Sequence, residues 1–423
     1  MAHRVDWVRA LEILDSRGRP TLQVSVGLTG GATGQAGVPS GASTGSREAV
    51  EKRDGDPARF GGGGVQGAAM AVEGEIAEAL TGREWASLAD LDRALIDLDG
   101  TENKGRLGAN AIVGVSMATA RAMAAVEGRP LHRWLAPDGY RPRLPVPHLN
   151  VLNGGAHAAN PLTFQEFMIA PIGAPSYREA LRSGAETYAA LRSILKERGH
   201  STGLGDEGGF APQITEPEEA LELLVEGIEA AGYVPGRDSV AIALDPAASE
   251  FRGEDGRYQV GDSCLTSTEM IERYREMMDR YPVWSIEDGL GEDDHDGWIQ
   301  LTEELGDWIQ LVGDDNFVTN PAIIREAIAQ GIGNAALIKL NQVGSVTETL
   351  EAIDVCRADG YAQMISHRSG ETCDSFIADL AVAVGCGEIK TGAPARGERL
   401  AKYNRLLEIE LELGQAEYGL TSR

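Results

Sequence analysis

The sequence predicts an α/β fold: a β/α barrel in its longer C-terminal part, preceded by a smaller α+β region. Three observations lead there. Short apolar runs of strand type alternate with amphipathic helical stretches beyond the proline-dense segment "APDGYRPRLPVP". The alternation fills roughly 280 residues, near the length of about 250 for a barrel of this class. Six of the apolar runs also stop at charged or polar side chains. The alternative is an open doubly wound sheet, but no G-x-G-x-x-G follows a strand to support a dinucleotide site.

The earliest element is the alternating run Pro20–Leu28, which puts Leu22, Val24 and Val26 on one face of a half-buried strand. "GVPSGASTGSRE" then reads as a loop. Residues 67–81 and 109–127 carry helical spacing with many alanines. Prolines across 136–147 stop regular structure, so the domains are set at 1–136 and 137–423. Beyond the junction, Ser176 with Glu179 and Thr215 with Glu218 read as capping boxes that open helices. Glu250–Val260 reads as a hairpin with Asp255-Gly256 at its turn.

Composition narrows the function. The chain has 423 residues, 42% of them hydrophobic, which suffices for a packed core. Its formal net charge of -27 argues against nucleic acid or an anionic membrane as partner. Its four cysteines, none spaced C-x-x-C, fit a reducing cytoplasm. The start "MAHRVDWVRA" has no apolar signal core, and no uncharged apolar stretch has the length of a bilayer span.

The strand endings carry the chemistry. "VAIALD" ends at Asp245, "VWSIED" at Glu287 and Asp288, and "IQLVGDD" at Asp314 and Asp315. "AALIKLN" carries Lys339, "AQMISHRS" ends in His367, Arg368 and Ser369, and "GEIKTG" carries Lys390. Strand C-termini of a barrel converge on one mouth. Asp245, Glu287 and Asp314 would repel one another there, and a hard divalent cation with oxygen ligands resolves the conflict, which favours Mg²⁺ over Zn²⁺. Lys339 and Lys390, beside other cations and a metal, are expected to have lowered pKa values suited to a general base. Arg368 and Ser369 offer donors to a phosphate. The glycine-rich loop "GLGDEGGFAP" holds Asp206 and Glu207, and a carboxyl group there is expected to stay protonated and act as an acid.

The segments "SGASTGSREAVEKRDGD", "NGGAHAAN", "QEFMIAP", "GDEGGFAP", "LDPAASEF", "SIEDGL", "GDDNFVTN", "IKLNQVGS", "SHRSGET" and "IKTGAPARGERLAKYNRLLEIE" occur in this order. Together they resemble the enolase family, from "EILDSRG" nearly to the C-terminus. The resemblance implies an N-terminal α+β cap with a lid loop on an eightfold barrel whose first strands run antiparallel. It implies loss of water from 2-phosphoglycerate to give phosphoenolpyruvate. By the same likeness Asp245, Glu287 and Asp314 bind one Mg²⁺ and Ser43 a second, making two per site. Lys339 is the base, Lys390 contacts the substrate carboxylate, and Glu207, aided by Glu166, protonates the leaving hydroxyl. Gln165, Arg368 and Ser369 bind substrate, and His157 and His367 close the pocket. A homodimer or homo-octamer is implied as well.

The sequence departs from the family pattern at Arg19, Pro246, Asn316 and Gly397, none of them a catalytic group. Two rival readings remain at this stage. One is a specialised enolase-like dehydratase acting on a modified phosphoglycerate, such as an enzyme forming carboxyphosphonoenolpyruvate. The other is a noncatalytic use of the fold.

Overall fold

An antiparallel sheet begins the chain. The computed structural model describes residues 2–41, 45–139 and 141–420. Strands His3–Leu14, Pro20–Leu28 and Thr33–Gly37 form a meander, and Glu84–Trp85 pairs with the other edge of the first strand. Leu22, Val24 and Val26 are fully buried, as their alternation predicts. They face the helix Ala109–Val126, which lies very close to the sheet. A Cβ on Gly34 would stand 1.9 Å from the Ala118 carbonyl oxygen, and one on Gly114 2.6 Å from Val24. This helix is long and apolar enough to cross a bilayer, but 83% of it is buried inside the fold, so packing accounts for its composition. The helix expected over residues 67–81 is found as Gln66–Ala71 and Ala77–Leu80, joined by a π-helical turn at Val72–Ile76.

Eight strands close the barrel: Val146–Asn153, Glu166–Ala170, Ala241–Asp245, Val283–Glu287, Gln310–Gly313, Ala335–Ile338, Ala362–Ser366 and Gly387–Lys390. The alternation of strands and helices implies an all-parallel barrel; the structure overturns that and shows the antiparallel start that the resemblance implies. The second strand runs antiparallel to both neighbours, while the remaining pairs are parallel. The reason is local. Residues 154–165 form a helix-free connection apart from the single turn Gly155–His157, and such a loop returns the chain antiparallel, whereas a parallel neighbour needs a crossover. Two consecutive helices, Tyr177–Glu197 and Pro217–Ala230, then lead to the third strand. The antiparallel turn has one functional consequence. Glu166, at the start of its strand, pairs with Asn153 and Asp245 at the ends of theirs.

Below the mouth the barrel is filled by side chains such as Met168, Ala243, Trp284, Leu337 and Met364. Ser176 caps its helix by accepting the Glu179 N–H. Thr215 does not cap. The N-cap is the next residue, Glu216, and the helix opens with Pro217. A full capping box stands instead at Thr266 and Glu269. The expected hairpin over Glu250–Val260 is reduced to one bridge between Arg252 and Tyr258, and the ladder joins Tyr258–Val260 to Ser263–Leu265.

Buried polar contacts fasten the two regions to each other. Lys104 pairs with Glu348 at 2.8 Å and Arg121 with Asp374 at 2.5 Å. Asp92, fully buried in the helix Leu88–Asp99, accepts from Ser116 Oγ at 2.9 Å, Thr347 N at 3.1 Å and Thr347 Oγ1 at 2.6 Å. Burial outweighs these bonds and lifts the Asp92 carboxyl to about 6. A carboxyl raised on folding favours the native state at low pH. That contribution is complete below the unfolded value near 4 and is lost as the pH climbs through 6. Asp92→Asn keeps an acceptor oxygen and removes the titration. In urea unfolding, the stability of Asp92→Asn relative to the parent should rise by roughly 3 kcal/mol between pH 4 and 6 and then level off. A difference that does not change with pH contradicts this.

Candidate active site

The barrel strands deliver their terminal side chains to one buried mouth. Asp245, Glu287 and Lys390 are the last residues of their strands, and Asp314 and Lys339 directly follow theirs. His367, Arg368 and Ser369 follow Ala362–Ser366. Glu166 arrives from the antiparallel strand, His157 from the turn before it, and Glu207 from the glycine-rich loop. Gln165 is buried, and its Oε1 has no hydrogen-bond partner. Ser43 lies outside the described residues.

Charge is compensated in pairs. Lys390 Nζ stands 2.7 Å from Asp245 Oδ2, 2.7 Å from Glu287 Oε1 and 3.3 Å from Glu166 Oε1. Lys339 Nζ donates to Asp314 Oδ2, and Gln342 Nε2 donates to Asp314 Oδ1 at 2.8 Å. Arg368 is held by Glu48 in a bidentate pair at 2.9 and 3.1 Å. Ser369 Oγ accepts from Arg17 at 3.4 Å.

These contacts reverse two expectations about protons. The sequence reading has both lysines lowered by neighbouring cations and a metal. Burial is the largest single influence and depresses both, but Asp314 with Glu287 at Lys339, and Asp245, Glu166 and Glu287 at Lys390, together outweigh it, so both ammonium groups lie above the usual lysine range. Glu207 is expected to be protonated, and burial favours that. Its neighbours win: His367 Nε2 lies 3.1 Å from Glu207 Oε2, and Asn150 Nδ2 donates to the same oxygen at 3.0 Å. His367 Nδ1 is 2.7 Å from Arg399 Nη1, a permanent donor, so its proton belongs on the Nε2 that faces Glu207. Glu207 is therefore the ionised partner, held well below the carboxylate range. The proton resides on Glu166, raised first by burial and then by the Glu207 charge. His157 lies between the two, with Nδ1 3.5 Å from Glu166 and Nε2 3.8 Å from Glu207.

Asp245, Glu287 and Asp314 present only carboxylate oxygens, and Glu287 Oε2 is buried without a partner. This hard, anionic donor set fits a divalent cation of the Mg²⁺ type. Among the described residues the groups whose ligand atoms lie within 4.8 Å of one another are Asp288, Asp314 and Asp315, and His157, Glu166 and Glu207; Asp245, Glu287 and Asp314 are not drawn together that tightly. Asp288 has a bracing role that sequence reasoning missed. Its carboxylate accepts the Asp314 N–H at 2.8 Å and the Asp315 N–H at 3.0 Å, from a backbone at φ 42°. The doubled acids in "IED" and "GDD" were the available signal, one residue of a doublet facing the mouth and the other tying loops together. Glu48, Gln342 and Arg399 were missed too, and nothing in their local sequence marks them. Asn316 is buried with neither amide atom partnered, and nothing in the structure explains that choice.

Comparison with known proteins agrees with this architecture. The family model described as "Enolase, N-terminal domain" matches residues 5–135, and "Enolase, C-terminal TIM barrel domain" matches residues 141–421. The chain is 57% identical to an enolase of Rubrobacter xylanophilus over 411 residues, covering 97% of this chain and 95% of that protein. It is 56% identical to enolase 1 of Methylococcus capsulatus over 419 residues, covering 98% and 99%.

The Lys390 ammonium is the shared counter-charge of three buried carboxyl groups. Lys390→Met should therefore cost about 3–5 kcal/mol of stability in guanidinium unfolding with a chelator present. A loss below about 1 kcal/mol would mean those groups are neutral without it.

Proposed function

The chain belongs to the enolase family, and we propose on that premise that its barrel mouth catalyses the reversible dehydration of 2-phosphoglycerate to phosphoenolpyruvate, as a hydro-lyase. What supports this reading is the convergence on one barrel mouth of Lys339 and Lys390, Glu166 and Glu207, Arg368, and the carboxylates Asp245, Glu287 and Asp314.

The chemical difficulty is a C–H bond beside a carboxylate. Removing that proton places a second negative charge on the acid group. Asp245, Glu287 and Asp314 would hold one Mg²⁺ and Ser43 a second. Bound there, the cations supply the positive charge that makes this dianion accessible. Lys339 takes the proton. Its tie to Asp314 favours the protonated form and so opposes its action as a base. Lys390 meets the substrate carboxylate. Glu207 delivers a proton to the departing hydroxyl, drawing on the one held by Glu166, with His157 between them. Arg368 and Ser369 hold the phosphoryl group, His367 walls the pocket, and Gln165 lies beside it. These roles follow the motif resemblance, and the burial of every described member of the set but the half-buried Lys339 supports them. Domains at 1–136 and 137–423, a cytoplasmic location and a homodimer or homo-octamer belong to the same proposal.

The test is turnover of 2-phosphoglycerate with Mg²⁺, followed by absorbance of the enol product. Lys339→Ala should lower kcat by at least about 10²–10⁴-fold. A parent protein without turnover, or a Lys339→Ala variant with parental kcat, contradicts the proposal.

A further inference from the structure

Gln342 occupies the short helix Leu340–Val343, just after Lys339, and is 1% exposed. Both protons of its amide nitrogen are used: Nε2 donates to Asp314 Oδ1 at 2.8 Å and to Glu48 Oε1 at 3.2 Å. Its Oε1 accepts from Thr319 Oγ1 at 2.7 Å. That hydroxyl also accepts the Lys339 backbone N–H at 2.9 Å, and Gln342 Oε1 is the nearer of its two acceptors, the Leu337 carbonyl standing at 3.4 Å. The amide therefore has one satisfied orientation, since turning it over would set its carbonyl against two carboxylates. Glu48 continues the chain through its bidentate pair with Arg368, and Ala49 N–H bonds the Gln342 backbone oxygen at 2.8 Å. An unbroken path runs from the Lys339 backbone through Thr319 and Gln342 to Asp314 on one side and to Glu48 and Arg368 on the other.

We infer that Gln342 and Glu48 are positioning residues that hold Arg368, Asp314 and Lys339 in mutual register, joining the phosphate-binding end of the mouth to its proton-transfer end. The inference rests on the roles proposed above for those three residues. Neither positioning residue need touch the substrate. Gln342 sets where the Asp314 carboxylate points, and Glu48 fixes the plane of the Arg368 guanidinium. Errors at one end of the mouth then propagate to the other.

Three full-length variants test this: Gln342→Leu, Glu48→Gln and the double variant. Each single change should raise KM for 2-phosphoglycerate and lower kcat, with kcat/KM falling about tenfold or more. Calorimetric affinity for inorganic phosphate should also fall about tenfold in each single variant. The double variant should lose no more than the worse single one, because both changes cut one path. Losses that multiply in the double variant overturn the inference, as do parental phosphate affinity and parental kcat/KM in either single variant. Tighter phosphate binding by Glu48→Gln also overturns it, because Glu48 would then compete with the anion. If Gln342→Leu does not fold, Glu48→Gln decides alone by the same two measurements. A parent protein that binds phosphate but does not turn over 2-phosphoglycerate would defeat the proposed reaction, while the phosphate arm would still decide this inference.

Discussion

Two buried ammonium groups allow the barrel mouth to exist. Lys390 sits against Asp245, Glu287 and Glu166, and Lys339 sits against Asp314. Carboxylates this deeply buried would otherwise be driven to neutrality. Burial and the charge of Asp245 already push Glu287 well above the usual carboxylate range, even with Lys390 beside it. The two lysines therefore only partly offset the cost of burying these carboxyl groups. Such a site favours an incoming cation and punishes the loss of either lysine. The same contacts hold the Lys339 ammonium above the usual lysine range.

The second constraint is topological. The hairpin between the first two barrel strands turns the second one over, which puts the start of that strand at the mouth. Glu166 thereby reaches Lys390 and His157, and the Glu166–His157–Glu207 line forms. In an all-parallel barrel the same residue would lie at the opposite end, away from the chemistry. A short loop thus determines which glutamate carries the mobile proton.

Much of this was legible in the sequence, and the rest was hidden for definite reasons. Asp245, Glu287, Asp314, Lys339 and Lys390 announce themselves because each ends or directly follows a strand-like apolar run. Glu166 begins its run, and periodicity carries no strand direction, so only the family resemblance pointed to it. Protonation was misread because it depends on neighbours far away in the chain. Arg399 sets the His367 tautomer, and His367 with Asn150 then ionises Glu207. Gln342 and Glu48 were invisible because their importance lies in their partners. The Thr215 cap failed because Pro217 offered the helix a better first turn.

The central claim is that Asp245, Glu287 and Asp314 form one cation site at the mouth. The most direct measurement is a calorimetric titration of Mg²⁺ into metal-stripped parent protein and into Glu287→Gln, whose shape is preserved. The account predicts saturable uptake by the parent and affinity weakened by at least about tenfold in the variant. Equal affinity in the two proteins would place the ion elsewhere and contradict the account.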